Sequence, residues 1–416
     1  MIKGNIVPSQ KYDLIVFGAT SFVGEILCRY LVSEYGVDGT VHWAAAGRSA
    51  SKLEKLRESL GAEARSLTLL TADAADEASL KGLCEQTRVI ISTVGPYALY
   101  GEPLVRLCAT TGTDYCDLTG EVQWVRRMID GYENLAKESG ARIVHCCGFD
   151  SIPSDMGVWH LQKAAAEQFG THCETVRMRV KAIRGGASGG TVASMLNITK
   201  EAASNPELRK ELANPYSICP AGHGFSARQK NVTTPEFDPD SGQWAGPFIM
   251  AGINTRVVHR SNALSSAAYG DNFRYDESML MGRGVKGRLR AMGFVAGLGA
   301  FLAGAAIKPT RWLMENYLLP KPGEGPSPED QANGFFDLRF SGETASGEKI
   351  KTQVTGDRDP GYGSTAKMLA QAGLSLAFDV DRDQKGGGFW TTATVFDQRF
   401  IDRLENHAGL KFSILR

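Results

Sequence analysis

The chain has 416 residues, 46 basic and 46 acidic, and 43% apolar side chains, so it exceeds one average domain and sets two as the prior. Balanced charge with no basic block or basic–aromatic stripe argues against nucleic-acid binding. Eight cysteines without a CxxC pair or metal-ligand spacing argue against a metal module and for free thiols in a reducing compartment, and Met1 to Lys11 has no apolar h-region, so no secretory signal is expected.

The first element opens at Tyr12. Leu14 to Phe17 is a short apolar run of the kind that makes a buried parallel strand, and Gly18 ends it. Beyond the turn, Val23, Ile26, Leu27, Tyr30 and Leu31 recur on one face of a helix. Strand, Gly-rich turn and helix make the phosphate-binding corner of a dinucleotide fold. Gly18 supplies the tight turn, and the helix N-terminus offers N–H groups to a pyrophosphate. Gly18, Ala19, Thr20, Ser21, Phe22, Val23 and Gly24 are therefore candidates for cofactor binding. Their spacing departs from the G-x-G-x-x-G pattern. Ser21 stands where a GxxGxxG variant has its middle glycine, and its hydroxyl is free in principle to donate to the pyrophosphate.

Strand and helix patterns then alternate to about Cys147. Strands are expected at Val41–Ala46, Leu67–Leu70, Val89–Val94, Tyr115–Leu118 and Ile143–Cys146, with helical stripes between them. Such repeats build a right-handed parallel sheet with helices on both faces, and the ligand lies at the carboxyl ends of its strands. The second strand ends in Ala46-Gly47-Arg48. An enzyme using NAD usually has an acid here for the ribose 2′-OH, whereas an arginine suits the 2′-phosphate of NADP. Arg48, with Lys52 one turn on, thus points to NADP(H). Asp73, ending the third strand, is a candidate for the adenine end or the cap of the next turn; Asp76 is the alternative cap of the following helix. After the fourth strand, Val94, Gly95 and Pro96 lie beside the nicotinamide in this topology. Tyr97 is either a proton donor or a buried tyrosine holding a loop.

Past Cys147 the pattern changes. Gly148 to Asp155 turns into a helix from about Met156 to Gln168. Val176, Met178, Val180 and Ala182 alternate with Arg177, Arg179 and Lys181, which reads as a half-buried antiparallel strand with a solvated basic face. Gly185 to Gly190 is a substrate loop or a flexible connection, leading to a helix at Val192–Ser204. Pro215 to Pro247 is a long excursion of turn residues with the makings of a lid. Ile253–His259 and Asn272–Met279 look strand-like, and Phe336–Phe340 with Ile350–Val354 make a hairpin. Ala291 to Ile307 is uncharged, rich in glycine, and bracketed by Lys286, Arg288, Arg290, Lys308 and Arg311. At roughly 17 residues it sits at the short edge for a bilayer span. The remaining uses are a buried helix, a homodimer contact through Gly293-x-x-x-Gly297, or an interfacial anchor. A helix at Thr365–Phe378, a second glycine-rich stretch at Gly386–Gly388, a helix near Arg399–Asn406 and a strand at Lys411–Ile414 close the chain.

The expected fold is α/β: a Rossmann-like doubly wound parallel sheet with a second α+β domain built on a mostly antiparallel sheet. Residues 1–150 form the NADP-binding domain, residues 151–357 a substrate or oligomerisation domain, and residues 358–416 a segment returning to the first domain.

Several motifs together carry a family resemblance. Gly18-Ala19-Thr20-Ser21-Phe22-Val23-Gly24, Ala46-Gly47-Arg48, Val94-Gly95-Pro96-Tyr97 and Tyr100-Gly101-Glu102-Pro103 resemble the saccharopine-dehydrogenase-like oxidoreductases. So do Asp117-Leu118-Thr119-Gly120-Glu121, Gly148-Phe149-Asp150-Ser151-Ile152-Pro153-Ser154-Asp155 and Gly361-Tyr362-Gly363-Ser364-Thr365-Ala366. The resemblance covers nearly the whole chain from Tyr12 and is nearest to the trans-acting enoyl reductases. It implies reduction of a carbon–carbon double bond on a polyketide-derived lipid chain beside a synthase that lacks its own reductase. It extends to the animal saccharopine-dehydrogenase-like oxidoreductase, which has a hydrophobic segment in the corresponding region. The substrate follows less firmly than the fold, because one fold hosts many chemistries. Three functions compete. The first is an NADPH-dependent reductase of a lipid or acyl small molecule, with Tyr97, Asp150 and Glu121 as candidate proton donors. The second is an amino-acid-type dehydrogenase of an imine, which needs arginines converging on substrate carboxylates. The third is a non-catalytic protein at a lipid surface. The expected location is the cytoplasm, with peripheral contact to membrane through residues 291–307.

Overall fold

The computed structural model describes residues 10–185, 189–314 and 325–415. Residues 186–188 of the expected Gly185–Gly190 loop, and most of the N-terminal segment read for a signal, lie outside the described residues. The chain divides into two compact units. Unit 1 runs up to Leu118 and adds Met128–His145 and Leu369–Phe389; unit 2 comprises Thr119–Arg127, Cys146–Met368 and the chain from Trp390 onward. The segment expected from residue 358 is thus shared between the two units, and the division falls within the helices Val122–Ser139 and Thr365–Phe378.

Unit 1 is the dinucleotide fold. Its strands are β1 (Tyr12–Phe17), β2 (Trp43–Gly47), β3 (Thr68–Thr71), β4 (Thr87–Ser92), β5 (Asp114–Asp117) and β6 (Arg142–Val144). They lie in the order β6-β5-β4-β1-β2-β3, all parallel, with Gly388–Trp390 added beyond β6. Leu14, Ile15, Val16, Ala44, Ala45 and Ala46 have no exposed surface, as expected of strands covered on both faces. The direction of winding reverses between β1 and β4, which is where such sheets open a crevice for ligand.

The late segment Leu369–Phe389 is part of this core. A side chain at Gly373 would stand 2.6 Å from Ile91, so its helix lies flat on the sheet. Gln371 donates to the Tyr30 hydroxyl at 2.6 Å. The buried Arg142 pairs with Asp114 and donates to the carbonyls of Leu376 at 2.8 Å and Val380 at 2.6 Å. One guanidinium therefore satisfies a carboxylate, a helix-end carbonyl and a carbonyl just past the helix that burial would otherwise leave unpaired.

Unit 2 is built on a second seven-stranded sheet. Its strands are β7 (Cys173–Arg184), β8 (Glu236–Asp238), β9 (Gln243–Pro247), β10 (Arg274–Gly282), β11 (Phe335–Thr344) and β12 (Lys349–Gly356). Gly388–Trp390 is β13, and β14 (Leu410–Leu415) completes the order β14-β12-β11-β7-β10-β9-β8. Only the β7–β10 pairing is parallel. The helix Ile152–Phe169 covers one face closely: a Cβ at Gly157 would overlap the Phe340 ring.

Three expectations for this unit need correction. Ile253–His259 is not a strand but part of the helix Ala251–Leu264. Its β-branched residues suggested a strand, but burial from Arg256 through Asn262 shows tertiary packing overriding that propensity. The basic face of β7 is not simply solvated. Arg179 is buried and bonds Asp238 at 2.8 Å and Asp276 at 2.6 Å, and Arg177 meets Asp240 at 3.0 Å, because neighbouring strands and turns supply acids opposite it. The excursion after Pro215 is not free to act as a lid at its start. Arg126 and Arg260 each donate at 2.6 Å, to the carbonyls of Ser217 and Ile218 respectively. Tyr216 donates to Ala227 at 2.7 Å. In addition, the apolar run is not a buried helix: it lies in the helix Gly284–Ala306, of which only Gly287, Ala291 and Ala305 are buried.

Among the buried carboxyls of unit 2 are Glu277 and Asp155. Glu277 accepts from the Tyr275 hydroxyl at 2.7 Å and the Asn254 amide at 2.9 Å, and Asp155 accepts from Ser261, Thr392 and the Ala393 N–H. Loss of hydration dominates over these bonds, raising Glu277 to about 7 and Asp155 to about 6. Both folded values lie above the ordinary ones, so their stabilisation is complete below about pH 4 and is lost as pH rises through the folded values. We expect the melting temperature of the intact chain to fall between about pH 5 and pH 7.5, by about 1 °C per kcal/mol. Glu277→Gln, whose neutral amide leaves the Tyr275 hydroxyl free to turn and accept, should flatten that decline. A melting temperature that rises over this interval would contradict the assignment.

Candidate functional site

The nucleotide corner of unit 1 is set by what cannot fit there. Gly18 has φ +89°, and a Cβ on it would come within 2.6 Å of Thr93 Oγ1 and 2.8 Å of Val94 Cγ2. Gly24 faces back on the same turn, where a Cβ would overlap the Gly18 carbonyl. Ser21 caps the helix Phe22–Tyr35, its hydroxyl accepting from the Gly24 N–H at 3.0 Å and lying 2.9 Å from Thr93 Oγ1. Thr93 in turn donates to the Gly18 carbonyl at 2.9 Å. The Ser21 hydroxyl is therefore spent on the cap and the Thr93 bridge rather than held ready for a pyrophosphate. Among the described residues no hydrogen bond reaches the N–H of Thr20 or Val23, which leaves both open to an anion at the helix start.

β2 is sewn to this turn, since Gly18 N and Ala19 N both donate to Ala46 O, at 2.9 and 3.0 Å. Arg48, two residues further on, is exposed and makes no hydrogen bond or ion pair among the described residues. Lys52 is exposed one turn into the next helix, which Ser49 caps through the Lys52 N–H. The donor set fits a dinucleotide with a 2′-phosphate: a cradle that a Cβ would fill, unclaimed N–H groups and an uncommitted guanidinium. Asp73 accepts from the Ala75 N–H at 3.0 Å, which is its turn-capping reading, and Asp76 caps the next helix through Ala78 N. Val94 borders the Gly18 cradle; Gly95 and Pro96 lead from it into Tyr97.

Tyr97 is buried, with its hydroxyl donating to Ser92 O at 2.9 Å and accepting from Leu118 N at 3.4 Å. It joins the ends of β4 and β5, the second of the two roles open to it. Sequence reasoning missed a pair at the carboxyl ends of β5 and β6: His145 Nδ1 lies 2.7 Å from Asp117 Oδ2, and both are buried. A carboxylate on one imidazole nitrogen sets the ring's tautomer and orientation. Asp117 belongs to a quoted motif, but nothing local marks His145 as its partner.

Asp150 and Glu121 belong to unit 2. Glu121 is fully buried and accepts from the Ser194 hydroxyl at 3.0 Å. Asp150 is half-buried, set between two glycines: Cβ atoms at Gly120 and Gly148 would stand 3.4 and 3.3 Å from its carboxylate oxygens. The loop that carries it is held by Thr365, which accepts from Phe149 N at 2.9 Å and donates to Pro360 O at 2.7 Å. Two separated motifs, Gly148–Asp155 and Gly361–Ala366, thus meet through this hydroxyl. Ser151 and Asp155 bind within the unit, to Asn254 at 3.0 Å and to Ser261 at 2.6 Å. Among the described residues, no group of three metal-binding side chains comes together.

Comparison with known proteins agrees with this geometry. Residues 14–144 match the family model described as the saccharopine dehydrogenase NADP binding domain. The chain is 37% identical over 412 residues to a trans-acting enoyl reductase of Mycobacterium ulcerans, covering 95% of this chain and 96% of the relative. It is 36% identical over 408 residues to a trans-acting enoyl reductase of Mycobacterium tuberculosis, with the same coverage. A saccharopine dehydrogenase (L-Glu forming) from Saccharomyces cerevisiae shares the fold, with a TM-score of 0.53 at 11% identity over 97% of this chain and 100% of that one. An NADP-binding corner and full-length identity to oxidoreductases together make this chain a member of the saccharopine dehydrogenase-like oxidoreductase family, among the trans-acting enoyl reductases.

Proposed function

We propose that the chain is an NADPH-dependent reductase of a carbon–carbon double bond in a lipid or polyketide-derived acyl substrate. It acts in trans, beside a synthase that lacks this activity, in the cytoplasm and in peripheral contact with membrane. The observation that carries this reading is identity of 36–37% over 95% of the chain to proteins named for the activity. Likeness confined to the nucleotide corner would carry only the cofactor; here unit 2 is shared as well. Four arginines of unit 2 weigh against the imine-dehydrogenase alternative. Arg126 and Arg260 bond backbone carbonyls, Arg256 bonds those of Gly252 and Leu212, and Arg179 is shared by two acids. None of these four is left to converge on substrate carboxylates.

When bound, NADPH supplies a hydride. The chain's part is to hold and orient the dinucleotide and to provide the proton that completes saturation. Gly18 and Gly24 give the backbone its close approach, and Arg48 with Lys52 answers the 2′-phosphate. Asp73 is assigned to the turn at the adenine end, and Val94, Gly95 and Pro96 to the wall at the nicotinamide end. For the proton we favour Asp150 over Glu121 and Tyr97. It is only half-buried and so exchanges protons with solvent, whereas Glu121 and Tyr97 are enclosed.

Three results test this reading. Arg48→Ala should weaken NADPH roughly ten- to hundredfold, the range for a lost charge-assisted contact of about 1.5–3 kcal/mol, and leave NADH little changed. Fluorescence titration reads both, and equal binding of the two cofactors by the unaltered protein would refute the preference. Gly18→Val should abolish NADPH binding in a folded protein, while Ser21→Gly, which costs a cap only a few tenths of a kcal/mol, should keep it. Undiminished binding by Gly18→Val would place the nucleotide elsewhere. Asp150→Asn should lower turnover of an α,β-unsaturated acyl thioester by roughly 10²–10⁴ with NADPH affinity intact. Unchanged turnover and pH profile would remove Asp150 from the chemistry.

A further inference from the structure

We infer that the helix Gly284–Ala306 is a monotopic lipid anchor, lying in the plane of an anionic bilayer surface rather than crossing the bilayer or pairing two copies of the chain. This deepens the proposed membrane contact but is independent of the reaction assigned above. The helix has 23 residues and is apolar enough to cross a membrane by composition, yet only 11% of its most apolar window is buried. Its inner side is settled by contacts within unit 2. Gly287 backs onto Gly282, Ala291 is enclosed, and Phe294 lies near Gly246 on β9. The other side presents Val285, Leu289 and Met292, which are 50–74% exposed; Leu302, nearer the inner side, is 39% exposed, and Ile307 and Leu313, both exposed, follow the helix end.

Topology rules out a single crossing. The helix leaves the second sheet at the end of β10, and the chain re-enters that sheet as β11; both strands flank β7. One crossing would put two strands of one sheet on opposite sides of the bilayer. A return crossing has no sequence to use, because between Ile307 and Phe335 stand Lys308, Arg311, Glu315, Lys321, Glu324, Glu329 and Asp330. The exposed apolar face must therefore be covered from one side.

Charge selects what covers it. From Glu277 to Glu315 there is no intervening acid, while Arg283, Lys286, Arg288, Arg290, Lys308 and Arg311 all fall in that interval. The chain as a whole balances its charges, so the rest of it carries an excess of acids and this basic concentration is local. Arg288 lies over the Trp244 ring at 5.3 Å, and Lys286 and Arg290 are exposed beside the apolar stripe. Anionic headgroups complement such a segment while its apolar face enters the acyl boundary. A twofold pair of copies is disfavoured, because both ends of the helix are basic and either sense of pairing sets like charge against like. Gly293, Gly297 and Gly299 face open space, where a Cβ would meet nothing, and leave the helix a smooth contact surface.

Flotation of the full chain, without substrate, on phosphatidylcholine vesicles and on the same vesicles with phosphatidylglycerol added tests the inference. We expect binding that rises with anionic lipid, falls in high salt and is reversed by an alkaline wash, from a protein monomeric by light scattering. Leu289→Glu with Met292→Glu should abolish it. Lys286→Ser with Arg290→Ser should weaken partition roughly fivefold per charge, the equivalent of about 1 kcal/mol each. NADPH titration of each variant confirms the fold, and enoyl reduction is scored separately, so either reading can fail alone. Three results would overturn the inference: no preference for anionic vesicles, retention until detergent is added, or a dimer that Leu289→Glu with Met292→Glu dissociates.

Discussion

The nucleotide site depends on a steric exclusion: nothing larger than hydrogen can stand on the α-carbons of Gly18 and Gly24. The Gly18 carbonyl occupies the volume that a Gly24 side chain would need, and Thr93 occupies the volume a Gly18 side chain would need. This brings the helix N-terminus against the end of β1 and points its first N–H groups into the crevice where strand order reverses. Hydrogen bonding then holds the shape that sterics permit. Thr93 ties the Gly18 carbonyl to the Ser21 cap, and Ala46 accepts both N–H groups at the turn. The end of β2, and Arg48 beyond it, are positioned by those last two bonds.

Unit 2 uses its polar groups differently. These buried carboxyls and arginines find their partners within the unit: Asp155 gathers three donors, Glu277 is bonded by Tyr275 and Asn254, and Arg179 is held between two acids. Such closed sets give a unique packing and leave little for substrate. Asp150 differs in being half-buried rather than enclosed, on a loop pinned by Thr365.

What could be read from the sequence was what repeats or is local. The β1 run and the 3.6-residue stripe behind Gly18 announced the dinucleotide corner, and the absence of an acid after β2 announced its charge preference. Partners far apart in sequence left no such mark. Thr93 meets Gly18 across 75 positions, and His145 meets Asp117 across 28. Arg179 looked like a solvated residue on an alternating strand because the acids that bury it belong to other elements. The Ala251–Leu264 helix was hidden for a related reason: Ile253, Val257 and Val258 favour a strand locally, and only packing around the polar residues from Asn254 to Asn262 decides otherwise. For the Gly284–Ala306 helix, composition left burial, pairing, anchoring and spanning open, and the exposure of the helix and the placement of β10 and β11 in one sheet were needed to set aside burial and a single crossing.

The central claim, that this protein reduces an alkene with hydride from NADPH, is tested most directly by isotope transfer. The full-length protein is incubated with NADPH deuterated at C4 and a long-chain α,β-unsaturated acyl thioester, and the product is analysed by mass spectrometry and NMR. We expect a saturated acyl chain carrying one deuterium at the β-carbon, with one proton from solvent at the α-carbon and one NADPH consumed per double bond. Recovery of the unsaturated thioester unchanged, with the label delivered instead to an imine carbon when an amino acid and a carbonyl compound are supplied, would contradict it.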